Sequence, residues 1–114
     1  MALWFLRGLR RGVVTTHYPA GPPDPWTATL PSPPVFSSAA LTRELVAELV
    51  AVCPSHALSI EGDDTLVYDV GGCTGCGRCL AVAGDAATPS GVIELAATDR
   101  RQLVKRIRLP EETR

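Results

Sequence analysis

The sequence lacks a segment that would cross a membrane and lacks a recognisable catalytic set. Its longest apolar run, residues 1–6, is far below the about 20 residues that a transmembrane helix needs. No apolar core follows the arginines at positions 10 and 11 before Pro19, so a signal peptide is not expected. No Ser/His/Asp set, carboxylate pair or nucleotide-binding loop is present. We therefore expect a cytoplasmic protein that performs no substrate chemistry itself.

The charge is small in sum and unevenly distributed along the chain. The 114 residues carry a formal net charge of −1. Three arginines and no acid give +3 in residues 1–23, nine acids against two arginines give −7 in residues 24–98, and six basic side chains against three acids give +3 in residues 99–114. Such small positive charges do not indicate nucleic acid as a partner. They predict basic docking arms on an acidic body.

Proline divides the chain into segments. Seven of the ten prolines fall between Pro19 and Pro34, which indicates an extended linker. We predict an amphipathic N-terminal anchor (residues 1–18), a Pro-rich linker (19–36), a folded domain (37–98) and a basic amphipathic tail (99–114). A folded core of roughly 60 residues is marginal without a disulfide or metal to stabilise it.

Both ends of the chain show amphipathic patterns. Residues 2–14 are predicted to form a helix with Arg7, Arg10 and Arg11 on one face and apolar side chains on the other. The apolar face consists of Phe5, Leu6, Leu9 and Val13. This helix is expected to lie in the membrane interface or against a membrane subunit, and the alternative is that it caps the protein's own core. The tail, residues 99–109, is predicted to pack on a partner.

Between the arms, local patterns predict four elements. A helix is expected from an N-cap at Ser37 or Ser38 to Val52, before Pro54. Its apolar stripe, expected to face the core, comprises Leu41, Leu45, Leu49 and Val52. A hairpin of residues 57–60 and 66–70, a short helix of residues 80–83 and a returning strand of residues 92–95 are expected to follow.

Four cysteines carry the chemistry of the chain. Cys73, Cys76 and Cys79 have C-x2-C-x2-C spacing, and Cys53 lies twenty residues upstream of this loop and directly before Pro54. Bacterial ferredoxins use C-x2-C-x2-C-x3-C-P, whose fourth cysteine binds the other cluster in two-cluster proteins. By that rule Cys53 completes the set of the three loop cysteines. The sequence therefore predicts one [4Fe–4S] cluster, with Cys53, Cys73, Cys76 and Cys79 as its iron ligands.

The ligand positions of a second cluster hold other residues. Counted from the two motifs, they are Arg43, Val46, Leu49 and Ala83, with Gly84 where the proline would stand. These four positions would serve a single cluster, so one site has been removed completely and the other retained. We predict an α+β protein with a small bacterial-type, 2[4Fe–4S]-like ferredoxin fold that has one cluster site and is flanked by N- and C-terminal docking arms.

A disulfide and a zinc site are the alternative uses of the four cysteines. A disulfide is disfavoured because nothing in the chain indicates secretion. Zinc also takes four thiolates, but zinc ribbons usually present two separate C-x2-C knuckles. The glycines at positions 71, 72, 75 and 77 suit a loop whose amides turn toward cluster sulfides. Arg78 and His56 are candidates to tune the potential, the alternatives being a solvated arginine and a histidine that fills a turn, and His17 is expected to pack in the lead-in.

Three stretches together resemble a known family. They are the lead-in 9–19 (LRRGVVTTHYP), the segment 53–58 (CPSHAL) and the loop 73–79 (CTGCGRC). With these the chain resembles the ferredoxin-like iron–sulfur subunit of formate hydrogenlyase and related membrane-bound group 4 [NiFe] hydrogenases, which is similar to chain I of the respiratory NADH:quinone oxidoreductase.

The resemblance implies an electron-transfer subunit at the cytoplasmic side of the cell membrane. Its partners would be hydrogenase-like small and large subunits, membrane subunits and another redox subunit, with peripheral membrane contact through residues 2–14. The chain departs from the family at the removed site. The family pattern implies that the retained cluster is the one nearer the small subunit, so we expect an altered electron route in which a redox partner docks close to that cluster. A structural adaptor, whose cluster only stabilises the fold, and a soluble single-cluster ferredoxin are the alternatives.

Overall fold

The described part of the chain is a small mixed α/β structure with two short antiparallel sheets and three α-helices. The computed structural model describes residues 3–12 and 18–111. The helices are α1 (Leu3–Arg11), α2 (Arg43–Val52) and α3 (Arg78–Ala83). The strands are β1 (Pro34–Phe36), β2 (Leu58–Glu61), β3 (Thr65–Asp69), β4 (Ala87–Pro89) and β5 (Val104–Arg108). One sheet pairs β1 with β4, and the other has the order β2-β3-β5.

Helix α2 begins later than the sequence predicts. Its N-cap is Thr42, whose hydroxyl accepts a hydrogen bond from the Leu45 amide at 3.2 Å. The predicted caps, Ser37 and Ser38, instead lie at the start of a 3-10 turn over Ser38–Ala40. Threonine at position 42 satisfies an amide that would otherwise have no partner, so the helix starts there. Its end at Val52, before Pro54, is confirmed.

The predicted hairpin is confirmed to within one residue at each strand end. Strands β2 and β3 are antiparallel, with Leu58 opposite Tyr68 and Glu61 opposite Thr65. Period-two alternation buries Leu66 and Tyr68 of β3 on one side of the sheet. This face brings a tyrosine into the interior.

The predicted C-terminal tail does not extend away from the fold. Strand β5 pairs antiparallel with β3, and Ile107 lies opposite Leu66. Two ion pairs join the basic strand to the acidic hairpin turn: Arg106 Nε lies 2.7 Å from Glu61 Oε2, and Arg108 Nε lies 3.4 Å from Asp64 Oδ2. The alternation of basic and apolar residues, which predicted docking on a partner, matches the protein's own acidic hairpin instead.

The returning strand was predicted at the wrong residues. The observed strand is β4, whose Ala87 lies opposite Phe36 of β1, whereas residues 92–95 form no strand and are exposed. The chain turns through a 3-10 segment at Gly84–Ala86, and Ala86 and Ala87 are buried directly after it. Small side chains allow this close return, while the more hydrophobic residues 92–95 lie beyond the pairing.

A single apolar core connects both sheets and α2. The rings of Phe36 and Tyr68 meet edge to face, with centroids 5.4 Å apart and planes at 86°. Within the predicted stripe of α2, Leu41 and Leu49 are buried, and Leu45 and Val52 are partly buried. The buried apolar residues are Phe36, Leu41, Val46, Leu49, Ala57, Leu58, Leu66, Tyr68, Ala83, Ala86, Ala87 and Leu109.

Helix α1 buries none of its residues. Leu3 and Trp4 are 78% and 77% exposed, so the structure gives no support to the alternative in which this helix caps the core. The rest of the predicted helix and its lead-in, residues 13–17 with His17, lie outside the described residues. In the described ranges, no helix combines the length and the apolar character that crossing a membrane requires.

Candidate metal centre

The four cysteines line one cavity. Cys53 follows α2, Cys73 follows the 3-10 turn Val70–Gly72, Cys76 lies in the loop, and Cys79 lies in the first turn of α3. The cavity is also lined by side chains of both sheets, including Pro34, Leu58 and Tyr68. Its free volume is about 20 Å³, room for a single water. Any larger group would therefore require the lining residues to move apart.

Two glycines shape the loop between the cysteines. Gly75 and Gly77 have φ values of 68° and 75°, in the left-handed region that side chains disfavour. The Gly75 amide donates a hydrogen bond to Cys73 Sγ at 3.4 Å, so one of the predicted inward-turned amides is present. Gly77 is the N-cap of α3, and its carbonyl accepts from the Leu80 amide at 3.1 Å. The loop thus folds back and delivers Cys79 to the cavity.

Cys53 lies among hydrogen-bond donors. Its Sγ is 3.6 Å from the Ser55 hydroxyl. Burial acts to raise the pKa of this thiol, but the Ser55 hydroxyl and the amides of Ala57, Leu58 and Ser55 together lower the pKa below its usual value. Donors to sulfur stabilise the thiolate, which is the form that binds metal. The donors around the Cys-Pro turn therefore favour the thiolate form of Cys53.

Cys79 is affected by the other three thiols. Burial raises its pKa first, and the charge of Cys73 raises it further, with smaller contributions in the same direction from Cys76 and Cys53. The Leu80 amide acts in the opposite direction. Like charges raise one another's pKa only when they are close together. This crowding is relieved when thiolates share a cationic group.

A buried hydroxyl at the cavity is unpaired. Tyr68 is 3% exposed, and its Oη has no hydrogen-bond partner among the described residues. Burial raises the pKa of this phenol above its usual range, and the Cys73 side chain, which lies near the hydroxyl without meeting hydrogen-bond geometry, adds to that effect. A buried donor without an acceptor is costly and is normally satisfied. An acceptor held in the cavity, such as a sulfur atom of a bound group, would supply the missing partner.

The sequence did not single out Tyr68, although a signal was present. Residues 65–69 alternate in a way typical of a half-buried strand, which places Leu66 and Tyr68 on the same inward face. A buried tyrosine normally needs a partner for its hydroxyl. An inward-facing tyrosine five residues before Cys73 therefore indicated a polar group near the loop.

The two residues predicted to tune the redox potential, His56 and Arg78, are both exposed. His56 is exposed with φ of 53°, and its amide donates to the Cys53 carbonyl at 3.3 Å. This geometry agrees with the interpretation that His56 fills a turn. Arg78 is also exposed, as the first residue of α3.

The four substituted ligand positions are spread over α2 and α3. Val46, Leu49 and Ala83 belong to the apolar core, with exposures of 2%, 0% and 6%, and Arg43 is exposed at the start of α2. Three of the four positions thus contribute to packing. The expectation that side chains fill this region agrees with the structure.

The cysteines share the cavity without meeting at one point. Within residues 3–12 and 18–111, no group of three or more His, Cys, Asp or Glu side chains is arranged as the ligands of one metal ion. No protein-family model matches the sequence, and comparison with curated proteins found no match either. The cavity and the residues around it are therefore the basis on which a function is inferred.

Proposed function

We propose that the protein is a non-catalytic electron-transfer subunit that carries one [4Fe–4S] cluster. Cys53, Cys73, Cys76 and Cys79 would be its ligands. The observation that carries this proposal is the shared cavity, because it joins cysteines from two segments that the sequence separates by twenty residues. In a cubane each thiolate binds a different iron, so the four sulfurs need not meet at one point.

The topology supports a small ferredoxin fold. The order strand, helix, strand occurs twice, as β1-α2-β2 and β3-α3-β4. The outer strands of the two units pair with each other, and so do the inner strands. A two-fold repeat of this kind is what a two-cluster ferredoxin would need, with one ligand loop before each helix. Here only the second unit has its loop cysteines.

The chain's own residues would hold and shield the group. When bound, the cluster supplies a one-electron redox centre whose potential depends on hydrogen bonds, charge and exposure. Leu58 and Pro34 keep water from one side of the cavity, and the Gly75 amide donates to a ligand sulfur. Cys76 is the exposed cysteine of the four. A redox partner is therefore expected to dock beside Cys76, where the path to solvent is shortest.

We also propose that the protein works at the cytoplasmic side of the cell membrane, in a hydrogenase-like or complex I-like oxidoreductase. The family resemblance suggests this setting. Helix α1 supports it, since its exposed apolar residues and three arginines suit an interface with anionic lipid or with a membrane subunit. Binding of the full chain to vesicles, with and without anionic lipid, tests the lipid contact.

A structural role for the cluster is the second candidate. Only Leu41, Leu49, Leu66 and Val46 stand out as large side chains with almost no exposure among the described residues, so the core is small. A cluster would connect the end of α2, through Cys53, to the start of α3, through Cys79. Small domains commonly rely on such a connection.

The test is metal analysis of the full chain, purified without oxygen. We expect about four irons and four sulfides per chain and one EPR signal on reduction. Cys76→Ser should lose most of the iron or weaken its binding, while Thr74→Ala, an exposed change between two ligands, should keep it. Zinc without sulfide would contradict the proposal. In the assembled complex, a Cys76→Ser subunit that still assembles should lose turnover if it conducts electrons, and should retain turnover if the cluster is structural.

A further inference from the structure

Tyr68 is held firmly at the cavity. It lies on β3 opposite Leu58 of β2 and Lys105 of β5, so its backbone is fixed by strands on both sides. Its ring packs edge to face against Phe36, at 5.4 Å between centroids. With 3% of its surface exposed, the side chain has little freedom to rotate toward solvent. The position of its hydroxyl is therefore set by the fold.

The Tyr68 hydroxyl makes no hydrogen bond with the described residues. Oη is fully buried and has no hydrogen-bond partner in the described ranges. A phenylalanine would pack equally well against Phe36 without this cost, since an unsatisfied buried hydroxyl destabilises a protein by about 1–3 kcal/mol. The residue beside the cavity is nevertheless a tyrosine. The structure thus contains a donor whose acceptor must come from the cavity.

Sulfur is the acceptor type that the cavity offers. Tyr68 lines it together with all four cysteines, and the thiols of Cys73, Cys79 and Cys53 are close enough to influence the phenol electrostatically. A tyrosine phenol is protonated at ordinary pH, so the group is an O–H donor. Ser55, another residue of the lining with a hydroxyl, already contacts Cys53 Sγ.

We infer that the Tyr68 hydroxyl donates an O–H···S hydrogen bond to the iron–sulfur group held by the four cysteines, to a cysteine sulfur or an inorganic sulfide, and thereby raises its reduction potential. The inference rests on the proposed function. The reduced cluster carries one more negative charge than the oxidised one, so a donor stabilises the reduced form more. Tyr68 would thus make the centre easier to reduce without supplying a ligand.

The direct test is Tyr68→Phe in the full chain. Iron and sulfide content should stay unchanged, because the ring and its packing remain. The reduced-to-oxidised ratio at a fixed applied potential should fall about tenfold, a shift of about 59 mV to more negative values for a one-electron couple. An exchangeable proton coupled to the reduced cluster, seen by ENDOR after transfer to D2O, should disappear in the variant.

A packing control separates the hydroxyl from the ring. Phe36→Leu disturbs the contact of Tyr68 with its neighbour but leaves the hydroxyl in place. In Phe36→Leu, the reduced-to-oxidised ratio at the same applied potential should change by no more than about threefold. A shift in Phe36→Leu as large as that in Tyr68→Phe would show that packing rather than the hydrogen bond sets the potential, and would overturn the inference.

A second measurement covers the case in which Tyr68→Phe does not fold. The chain has two tyrosines, so in a Tyr18→Phe background a fluorinated tyrosine is incorporated only at position 68. Fluorination makes the phenol a stronger donor, and the potential should rise. An unchanged potential with full iron content would overturn the Tyr68 inference alone. A wild-type chain without iron and sulfide would overturn the proposed function as well, so the two failures are distinguishable.

Discussion

Two heptapeptides that the sequence analysis treats as equivalent, one with cysteines and one without, adopt different conformations in this chain. Residues 43–49 (RELVAEL) form most of α2, whereas residues 73–79 (CTGCGRC) form a loop that turns around a cavity and only then enters α3. In the proposed ferredoxin fold, each would stand at the position of a ligand loop. The spacing at i, i+3 and i+6 therefore does not by itself determine a cluster loop.

The residues between the ligand positions make the difference. The second heptapeptide has Gly75 and Gly77 at positive φ, which reverse the chain direction and turn the Gly75 amide toward Cys73 Sγ. The first has only good helix formers between its positions, with Thr42 as a cap in front. In a helix the three positions lie roughly along one face, where two of them reach the core. The two heptapeptides thus differ in backbone conformation as well as in their side chains.

Four new cysteines at positions 43, 46, 49 and 83 are the largest change that tests this comparison. In the variant Arg43→Cys/Val46→Cys/Leu49→Cys/Ala83→Cys, we expect iron to remain at about four per chain, because α2 would have to unwind to form a loop. The free energy of unfolding should fall by about 3–5 kcal/mol, since Val46 and Leu49 lose buried volume in the core. Iron analysis and denaturant unfolding under anaerobic conditions measure both effects.

The matched control is Arg43→Cys alone, at an exposed position, which should change stability by less than about 0.5 kcal/mol. If the quadruple variant bound about eight irons per chain, the absence of four cysteines alone would account for the absence of a second cluster. The helical backbone of residues 43–49 would then not be what prevents a second cluster from binding.

The sequence predicted the parts of this comparison that depend on local chemistry. Helix α2 with its end at Val52, the hairpin and the buried Leu49 follow from periodicity, proline and turn residues. The strand at residues 92–95 was wrong, and the pairing of the tail with the hairpin was missed, because both required knowing which distant segments pair. Alternation in residues 104–108 fits a partner surface and the protein's own hairpin equally well, and only the register of Ile107 against Leu66 decides between them.

The same limit applies to the candidate site. The ligand spacing named four cysteines without any structure, but it gave no information on what surrounds them. Tyr68 reaches the cavity from a strand whose position depends on both β2 and β5. The interaction of a hydroxyl with thiols that follow it in the chain is set by tertiary packing.

Ile107→Ala tests whether the half of the fold that carries the cysteine loop unfolds separately from α2. Strand β5 pairs with β3, which leads directly into the cysteine loop. Ile107 is partly buried against the core, so we expect a loss of about 1–2 kcal/mol. Amide hydrogen exchange should increase in β3 and the loop before it increases in α2.

The control is Arg106→Ala, which removes an exposed ion pair on the same strand and should cost less than about 0.5 kcal/mol of stability. Equal exchange changes in α2 and β3 would mean that the two units unfold together.

The smallest effect is expected from Asp99, which caps the turn before β5. Its Oδ1 accepts from the Arg101 amide at 2.9 Å, and the Arg101 side chain, followed by that amide, lowers the pKa of this carboxyl below its usual value. A carboxyl with a depressed folded-state pKa stabilises the protein above its unfolded pKa, near pH 4, and loses that contribution as pH falls through the lower folded value. The melting temperature of Asp99→Asn should therefore lie slightly below that of the wild type at pH 5–7, and the two should converge as the pH falls through the lowered folded-state pKa. Asp63→Asn in the hairpin turn removes a charge without removing this cap and serves as the control. A difference between Asp99→Asn and the wild type that stays constant down to pH 2 would show that the carboxyl stabilises β5 through its shape and hydrogen bonds alone, because an effect of its charge must titrate.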